Sequence, residues 1–317
     1  MESFAAGGAP TYARLAEEHA ADPVIAELGE GVKPRWQVPL RLFGAVHYLV
    51  LSGEEPDAWE RFGEVLRERK DWIRRFVVEQ PVQTNEVQRC WALLPAFLWA
   101  VGGQAVDLIE LGPSGGLNLY WDTYRYRYEG RAWGPTDAEL ELDGVVLAAP
   151  PAELFERTVD VRTRLGIDQS PVDVSDEQQA LLLQAFVWAD HRERLERLRG
   201  AIERARRRPP ELVQGDYVRL LPEILEQRDP SRTALVFNSA TLSYLRDEER
   251  EELAATIESA GSRGSIAWIS YEFARGEDVT GDSFEEAFTL EARTWPGGEP
   301  LVLSRSDGHG NRLRWLA

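Results

Sequence analysis

The chain has 317 residues, 43% hydrophobic and 28% charged, which indicates a folded protein of about two domains. Its formal net charge of −18 argues against binding to nucleic acid or anionic membranes, because both require clustered cations. A single cysteine, Cys90, excludes a disulfide framework, and the four histidines show no metal-site spacing. The chain starts without a signal-peptide pattern and has no apolar stretch of about 18 residues, so we expect a cytoplasmic protein.

The first part of the chain, residues 1–103, is predicted to form an all-helical domain or lid. Apolar residues recur at helical spacing over residues 12–28, 39–51 and 58–78. Residues 85–101 are apolar on almost every side, which is typical of a buried helix. These segments show no pattern typical of a strand.

A different pattern begins at residues 105–111, a short apolar run that enters Gly112-Pro-Ser-Gly-Gly116. This order predicts a strand, a tight glycine turn and a helix. Residues 123–157 are predicted to be a β-rich insertion, in which Asp143-Gly144 turns a pair of strands. A further strand is expected over residues 158–167.

The remainder of the chain alternates helices with strands, which predicts a mainly parallel sheet with helices on both faces. Helices are predicted to start near Ser175 and Asp190, and two more are expected between the later strands. Those strands are predicted at residues 211–216, 233–238, 265–272, 288–295 and 301–305, the last two as an antiparallel pair.

The most informative segment is Glu110-Leu-Gly-Pro-Ser-Gly-Gly-Leu-Asn118, directly after a predicted buried strand. Its glycines allow the backbone to turn sharply and to approach a ligand without a side-chain clash. An acid before the first glycine and an asparagine at the loop's end resemble the first motif of S-adenosylmethionine-dependent methyltransferases. The candidate cofactor-binding residues are Glu110, Gly112, Ser114, Gly116 and Asn118. A tight turn without a ligand is the alternative.

Three later strand ends resemble the other motifs of these methyltransferases. Asp168 corresponds to the acid that holds the ribose hydroxyls, since a carboxylate can accept two hydrogen bonds from a diol. Asp216 corresponds to the residue that reads the adenine edge, and Asn238 lies where the fourth motif has polar residues. The sequence separation of Glu110 and Asp168 far exceeds the roughly 20 residues of an uninterrupted unit, so the insertion must account for it.

These motifs imply an α/β fold with a Rossmann-like, methyltransferase-type sheet of seven strands, mostly parallel and closed by a C-terminal antiparallel hairpin. This domain would span residues 104–317, with its insertion at about 123–157, and would follow the helical domain of residues 1–103. The ligand is expected at the carboxyl ends of the strands, where the strand order switches.

The same glycine loop also fits Gly-x-Ser-x-Gly, the nucleophile elbow of α/β-hydrolases. In that interpretation Ser114 is the nucleophile, Asp278 or Asp282 the acid and His309 the base. The hydrolase elbow follows several strands of its sheet, whereas a helical region precedes this loop. We therefore rank a serine hydrolase behind a methyltransferase.

A polar segment, Gln83-Thr-Asn-Glu86, marks the start of the predicted buried helix. Thr84 or Asn85 would be a suitable N-cap, so helix capping is one interpretation. The other is a catalytic role in which Asn85 and Glu86 face the cofactor together with Asn238, supported by Gln83. Glu86 would then be the base or an amine-binding carboxylate.

Several segments together resemble one bacterial family. They are Gln83–Glu86, Glu110–Leu119, Tyr124–Tyr126, Gly166–Asp173 and His309-Gly310 with Trp315. The chain is identified as a member of this largely actinobacterial domain-of-unknown-function family, and the resemblance covers nearly the whole chain. It implies a methyltransferase-like fold and no particular substrate.

The leading hypothesis is an S-adenosylmethionine-dependent methyltransferase that acts on an unidentified small molecule, without a metal ion and without a nucleic-acid or membrane partner. A non-catalytic ligand-binding protein of this fold is the second hypothesis, and the hydrolase is the third. The sequence identifies neither the methyl acceptor nor the oligomeric state. If Gln83–Glu86 lies away from the cleft, the acceptor site is expected among Tyr124, Arg125 and Tyr271. His47, in an apolar run, is expected to be a hydrogen-bonded core residue.

Overall fold

The computed structural model describes residues 8–274 and 286–317, and the chain forms two compact units. One unit combines the described residues up to Asn85 with Val172–Ile202, and the other combines Glu86–Pro171 with the described residues from Glu203 to Ala317. These ranges differ from the expected division at residue 103. Periodicity identifies a helix, but it does not identify the distant segment against which the helix packs.

The helices of the described residues occur both before and between the strands. They are α1 (Pro10–Glu18), α2 (Pro23–Leu28), α3 (Gln37–Ser52), α4 (Phe62–Glu68), α5 (Lys70–Glu79), α6 (Arg89–Val101), α7 (Glu177–Ala185), α8 (Arg192–Arg207), α9 (Tyr217–Gln227) and α10 (Asp247–Gly261). The segments 12–28 and 58–78 were each predicted as one helix, but each contains two, α1 with α2 and α4 with α5. The break after α1 has a local cause, since the Asp22 carboxylate accepts a hydrogen bond from the Val24 N–H and Pro23 stands in the first turn of α2.

Aromatic rings form much of the core of the unit that contains Asn85 and Val172–Ile202, which we call the helical unit. The ring of Phe43 stacks on Tyr12, with 4.3 Å between centroids, and on Phe62, at 5.4 Å. His47 is buried among them, its Nδ1 lies 3.2 Å from the carbonyl oxygen of Ala185, and its ring lies 5.8 Å from that of Trp59. The expected core role of His47 is confirmed.

The second unit contains a nine-stranded sheet, whereas seven strands were expected. Its strands are β1 (Ala105–Leu111), β5 (Val145–Ala148), β6 (Asp160–Asp168), β7 (Glu211–Gln214), β8 (Thr233–Ser239), β9 (Ile266–Phe273), β10 (Phe288–Trp295), β11 (Leu301–Ser306) and β12 (Arg312–Trp315). The spatial order is β5-β12-β11-β10-β9-β8-β1-β6-β7. The predicted mixed α/β class with a mainly parallel sheet is therefore confirmed.

Five adjacent strands, β7-β6-β1-β8-β9, run parallel to one another. In the register of the sheet, Leu111 of β1 pairs with Ile167 of β6 and with Asn238 of β8. The strand order reverses direction at β1, because the chain adds β6 and β7 on one side and β8 and β9 on the other. The carboxyl ends of all five strands therefore meet at one edge of the sheet.

The chain between β1 and β6 is rich in short strands. It forms a three-stranded sheet of β2 (Arg125–Tyr128), β3 (Arg131–Trp133) and β4 (Glu141–Leu142). The predicted hairpin at Asp143-Gly144 is wrong, since β4 lies in this small sheet and β5 pairs with β12 in the large one. A Cβ on Gly144 would lie 2.7 Å from the Asn311 carbonyl oxygen and 2.8 Å from the Trp91 ring, so this glycine serves close packing.

Candidate functional site

The loop after β1 has an unusual backbone. Gly112 and Gly116 have φ angles of +73° and +69°, and Ser114, a non-glycine residue, has a φ of +55°. The segment that follows, Leu117–Thr123, is a 3₁₀-helix and not the expected α-helix. The hydrogen bonds of a 3₁₀-helix have poorer geometry than those of an α-helix.

Gly112 and Gly116, two of the three loop glycines, lie against neighbouring segments of the protein. A Cβ on Gly112 would approach Thr241 Cγ2 to 2.5 Å, and one on Gly116 would approach Pro210 to 2.7 Å. Thr241 follows β8, and its Oγ1 donates a hydrogen bond to the Leu111 carbonyl, at 3.2 Å. The glycines are therefore required first by the approach of the protein's own chain.

Asp168 connects the loop to the neighbouring strand end. Its Oδ2 accepts a hydrogen bond from the Ser114 N–H, and its Oδ1 accepts one from the Ser170 N–H, both at 2.8 Å. The Gly112 N–H donates to the Ile167 carbonyl at 2.9 Å. The structure thus brings Asp168 beside the glycine loop, although β6 lies far along the chain from β1.

Glu110 is a buried carboxyl group that receives few hydrogen bonds. Only 2% of the residue is exposed, and Oε1 accepts a hydrogen bond from Asn118 Nδ2 at 3.4 Å. Oε2 has no hydrogen-bond partner among residues 8–274 and 286–317. Burial, with the negative charge of Asp168, raises the pKa of Glu110 well above its ordinary value, against the opposing effects of Asn118 and Arg89.

Two residues at the start of α6, Arg89 and Cys90, lie within electrostatic range of Glu110. Cys90 is fully buried, and its thiol donates to Asn118 Oδ1 at 3.3 Å. Arg89 donates from Nε to the Gly308 carbonyl, at 2.9 Å, and from Nη1 to the carbonyl and hydroxyl oxygens of Ser239, both at 3.2 Å. The guanidinium charge lowers the pKa of Glu110 without forming a direct ion pair with it.

The segment Gln83–Glu86 does not cap α6. The helix begins at Arg89, and its N-cap residue, Gln88, makes no capping side-chain hydrogen bond. Glu86 is buried, and its Oε1 accepts a hydrogen bond from the Gln88 N–H at 3.3 Å. Burial is the main cause that raises the pKa of Cys90, and a negative charge on Glu86 raises it further, so Glu86 lies within electrostatic range of this thiol. Asn85 belongs to the helical unit.

Asn238 lies at the carboxyl end of β8, fully buried, and its amide is already bonded within the protein. Nδ2 donates to Ser270 Oγ at 3.0 Å and to Glu272 Oε1 at 2.8 Å, and Oδ1 accepts from Trp268 Nε1 at 2.8 Å. Glu272 Oε1 also accepts from the N–H groups of Thr241 and Leu242, at 2.9 and 3.0 Å. Asn238 therefore positions Glu272.

Sequence reasoning missed Glu272 and the role of Arg89. Glu272 is the next-to-last residue of an apolar strand, as Glu110 is, so its position was the available signal. Burial raises the pKa of Glu272, while its three hydrogen bonds and Arg89 lower it. Arg89 lies three residues after the polar segment Gln83–Glu86, but nothing in the sequence indicates that it contacts residues 239 and 308.

Asp216 follows β7, the strand that pairs with β6, and has a local role. Its Oδ1 accepts a hydrogen bond from the Val218 N–H at 2.9 Å, which makes it the N-cap of α9. The alternative acceptor-site residues bond to backbone carbonyl oxygens. Tyr124 donates to Leu117, and the side chains of Arg125 and Tyr271 donate to Gly134 and Asp307.

The hydrolase interpretation receives no support from Ser114. Its Oγ is buried and has no hydrogen-bond partner in the part of the chain that the structure describes, so it does not contact His309. His309 itself is exposed. Asp278 and Asp282, the acids considered for this triad, lie outside the described residues.

Two further findings concern metals and membranes. Within residues 8–274 and 286–317, no group of three or more His, Cys, Asp or Glu side chains is arranged to hold a metal ion. In the same ranges, no helix is both long and apolar enough to cross a membrane.

The chain belongs to the bacterial family described as "Uncharacterized protein conserved in bacteria (DUF2332)", whose model matches residues 2–315. This confirms the family resemblance of its sequence motifs. The comparison with curated proteins found no match.

Proposed function

We propose that the chain binds S-adenosylmethionine at the carboxyl edge of its parallel strands and transfers the methyl group to a small molecule. The order β7-β6-β1-β8-β9 corresponds to the parallel part of a methyltransferase-type sheet, and acidic residues occur at the ends of three of these strands. The antiparallel strands β10, β11 and β12 are neighbours in the sheet in the same order as in the sequence. We base the proposed likeness to a methyltransferase on the five parallel strands and not on these three.

One observation carries the proposal: the unpartnered Oε2 of Glu110 beside the loop with positive φ angles. A buried carboxyl oxygen without a partner is costly, and a ligand that supplies a donor or a cation removes the cost. Ser114 Oγ, also buried and unpartnered among the described residues, lies in the same loop. Two such atoms so close in sequence favour a ligand over a plain turn.

The side chains present fit the proposed cofactor. Glu110 would bind its ammonium group, Ser114 would donate or accept a further hydrogen bond, and Asp168 retains lone pairs for the ribose hydroxyls. The cofactor would supply an electrophilic methyl group. The residues of this chain would orient it and keep water out, since positioning is the main requirement of an in-line displacement.

Glu86 is our proposed acceptor-site residue, because it lies within electrostatic range of Cys90, whose thiol bonds to Asn118 as Glu110 does. The three other proposed catalytic residues are less well supported. Asn238 has its amide bonded to Trp268, Ser270 and Glu272, and Gln83 and Asn85 belong to the helical unit. Because the Asn238 amide is already hydrogen-bonded within the protein, it favours the second candidate function, a ligand-binding protein of this fold without catalysis.

Calorimetric titration of S-adenosylmethionine and S-adenosylhomocysteine into the purified chain tests the proposal. We expect both to bind, and Glu110→Gln to weaken binding by about 10-fold to 100-fold, the range for loss of one charge-assisted hydrogen bond. Glu141→Gln, which changes an exposed carboxylate paired with Arg127, is the matched control and should bind normally. Absence of binding to the wild-type chain would refute the proposal.

A second measurement separates catalysis from binding alone. The chain is incubated with methyl-labelled S-adenosylmethionine and an extract of small molecules, and transfer is followed by mass spectrometry. Labelled product that depends on Glu86 supports the methyltransferase. Binding without transfer supports the non-catalytic candidate.

A further inference from the structure

We propose that Glu110 is a neutral carboxylic acid in the free protein and that the cationic group of a ligand displaces its proton. The first half concerns the chain alone. The second half rests on the proposed function, which supplies a cationic ligand of the ammonium or sulfonium class.

The geometry around Glu110 is unsuitable for an ionised carboxylate. An isolated buried charge is strongly disfavoured unless it is paired or receives several hydrogen bonds. Glu110 receives one, a long bond of 3.4 Å from the neutral amide of Asn118. The nearby guanidinium of Arg89 donates instead to Gly308 and Ser239.

The groups that influence the ionisation of Glu110 come from three elements. Arg89 and Cys90 lie on α6, Asp168 ends β6, and Asn118 lies on the 3₁₀-helix after the loop. Asp168 and burial favour the neutral acid, whereas Arg89 and Asn118 favour the carboxylate, and the pKa of Glu110 is raised on balance. The proton would be carried by Oε2, the oxygen without a partner among the described residues.

A cationic ligand reverses this balance. When its positive group lies against Oε2, the carboxylate gains the ion pair that the free protein lacks. The O–H bond of the acid breaks, the proton leaves to solvent, and the carboxylate binds the cation, so charge is conserved with one proton released for each ligand bound. Protons and ligand therefore compete for one site. As long as the pH is below the pKa of Glu110, each rise of one pH unit should increase the affinity for the ligand about tenfold.

Carbon-13 NMR of protein labelled at the glutamate carboxyl carbon tests the first half. At pH 7 we expect one signal at the position of a protonated acid, absent from Glu110→Gln. If that variant does not fold, Glu110→Asp should remove the same glutamate signal. A Glu110 signal at the carboxylate position would overturn the inference.

Calorimetry in phosphate and in Tris buffer tests the second half, because their ionisation enthalpies differ and the difference in heat counts the protons released. We expect about one proton released with S-adenosylmethionine, and none with adenosine, which lacks the cation. Binding of S-adenosylmethionine without proton release would overturn this inference and leave the proposed function standing. A neutral Glu110 with no binding would refute the proposed function and leave the protonation state established.

Discussion

At the scale of single residues, Asp168 fixes the geometry of the candidate site. Each of its carboxylate oxygens accepts a backbone N–H, from Ser114 and from Ser170. In Asp168→Asn one of these oxygens becomes an NH₂ group that faces a backbone donor. Because Asp168 is only partly buried, we expect the free energy of unfolding to fall by about 1 kcal/mol, the net contribution of one hydrogen bond, as measured by urea titration.

The matched control is Asp216→Asn on the adjacent strand end. Only Oδ1 of Asp216 accepts a backbone bond, from Val218, and asparagine caps helices about as well as aspartate. We expect a change below about 0.5 kcal/mol. Equal losses in the two variants would contradict the assignment of Asp168 as the connection between loop and strand.

His47 predicts a dependence of stability on pH. Burial lowers its pKa from 6.5 to about 4, against the opposing hydrogen bonds to Ala185 and Val187. The unfolded state therefore binds a proton first, so the contribution is complete above pH 6.5 and is lost as the pH falls towards 4. Between pH 7.5 and 5, this loss should be about 2 kcal/mol.

The comparison for this prediction is His47→Asn, which does not titrate and can still donate to Ala185. Thermal unfolding of both proteins at several pH values measures the difference. The wild type should lose stability on acidification more steeply than the variant. Parallel curves would show that His47 does not carry this dependence.

At the scale of elements, the close approach of two loops governs Gly112. This glycine was predicted to leave room for a ligand, but its missing Cβ makes room for Thr241. Gly112→Ala should cost about 3 kcal/mol, which combines left-handed strain with overpacking. Thr241→Ser removes Cγ2 and keeps the hydroxyl oxygen. When it is combined with Gly112→Ala, the double variant should regain the stability that overpacking cost.

Gly130 provides the control for backbone strain alone. Its φ is +69°, close to that of Gly112, and a Cβ there meets nothing within 4 Å. Gly130→Ala should therefore cost about 1 kcal/mol in chemical unfolding. If Gly112→Ala costs no more than this, the contact with Thr241 does not constrain the loop.

Elements were predicted well where local chemistry decides them. The strands at 105–111 and 288–295 have the predicted bounds, because an apolar run between turn residues specifies a buried strand. Two signals were misleading. Asp143-Gly144 suggested a hairpin, but Gly144 packs closely against Asn311 and Trp91. Thr84 or Asn85 suggested a cap, but the helix begins only at Arg89.

At the scale of the whole molecule, the candidate site was partly predictable. Parallel strands bring their carboxyl ends together, so Glu110, Asp168 and Asn238 were expected to be near one another. The roles of Arg89 and Glu272 were not predictable, since their contacts join residues far apart in sequence. The two units also combine separate segments of the chain, which no local pattern specifies.

The net charge of −18 is a property of the whole chain that should affect its stability. Even locally the acids are in excess, since the guanidinium of Arg61 lies within 4 Å of four carboxylates, those of Glu55, Asp57, Glu64 and Glu68. Exposed ion pairs such as these contribute little, so screening them costs little. Repulsion between the surplus carboxylates acts over longer distances and is reduced as the Debye length falls from about 30 Å at 0.01 M salt to about 8 Å at 0.15 M.

We therefore expect sodium chloride to stabilise the protein at neutral pH. Raising it from 0.01 M to 0.15 M should increase the free energy of unfolding by about 1 kcal/mol, or the Tm by about 2 °C. The increase should level off above about 0.2 M, because screening is then nearly complete. A continuous linear increase to molar salt would instead indicate exclusion of the salt from the protein surface, and a decrease would show that the exposed ion pairs outweigh the repulsion.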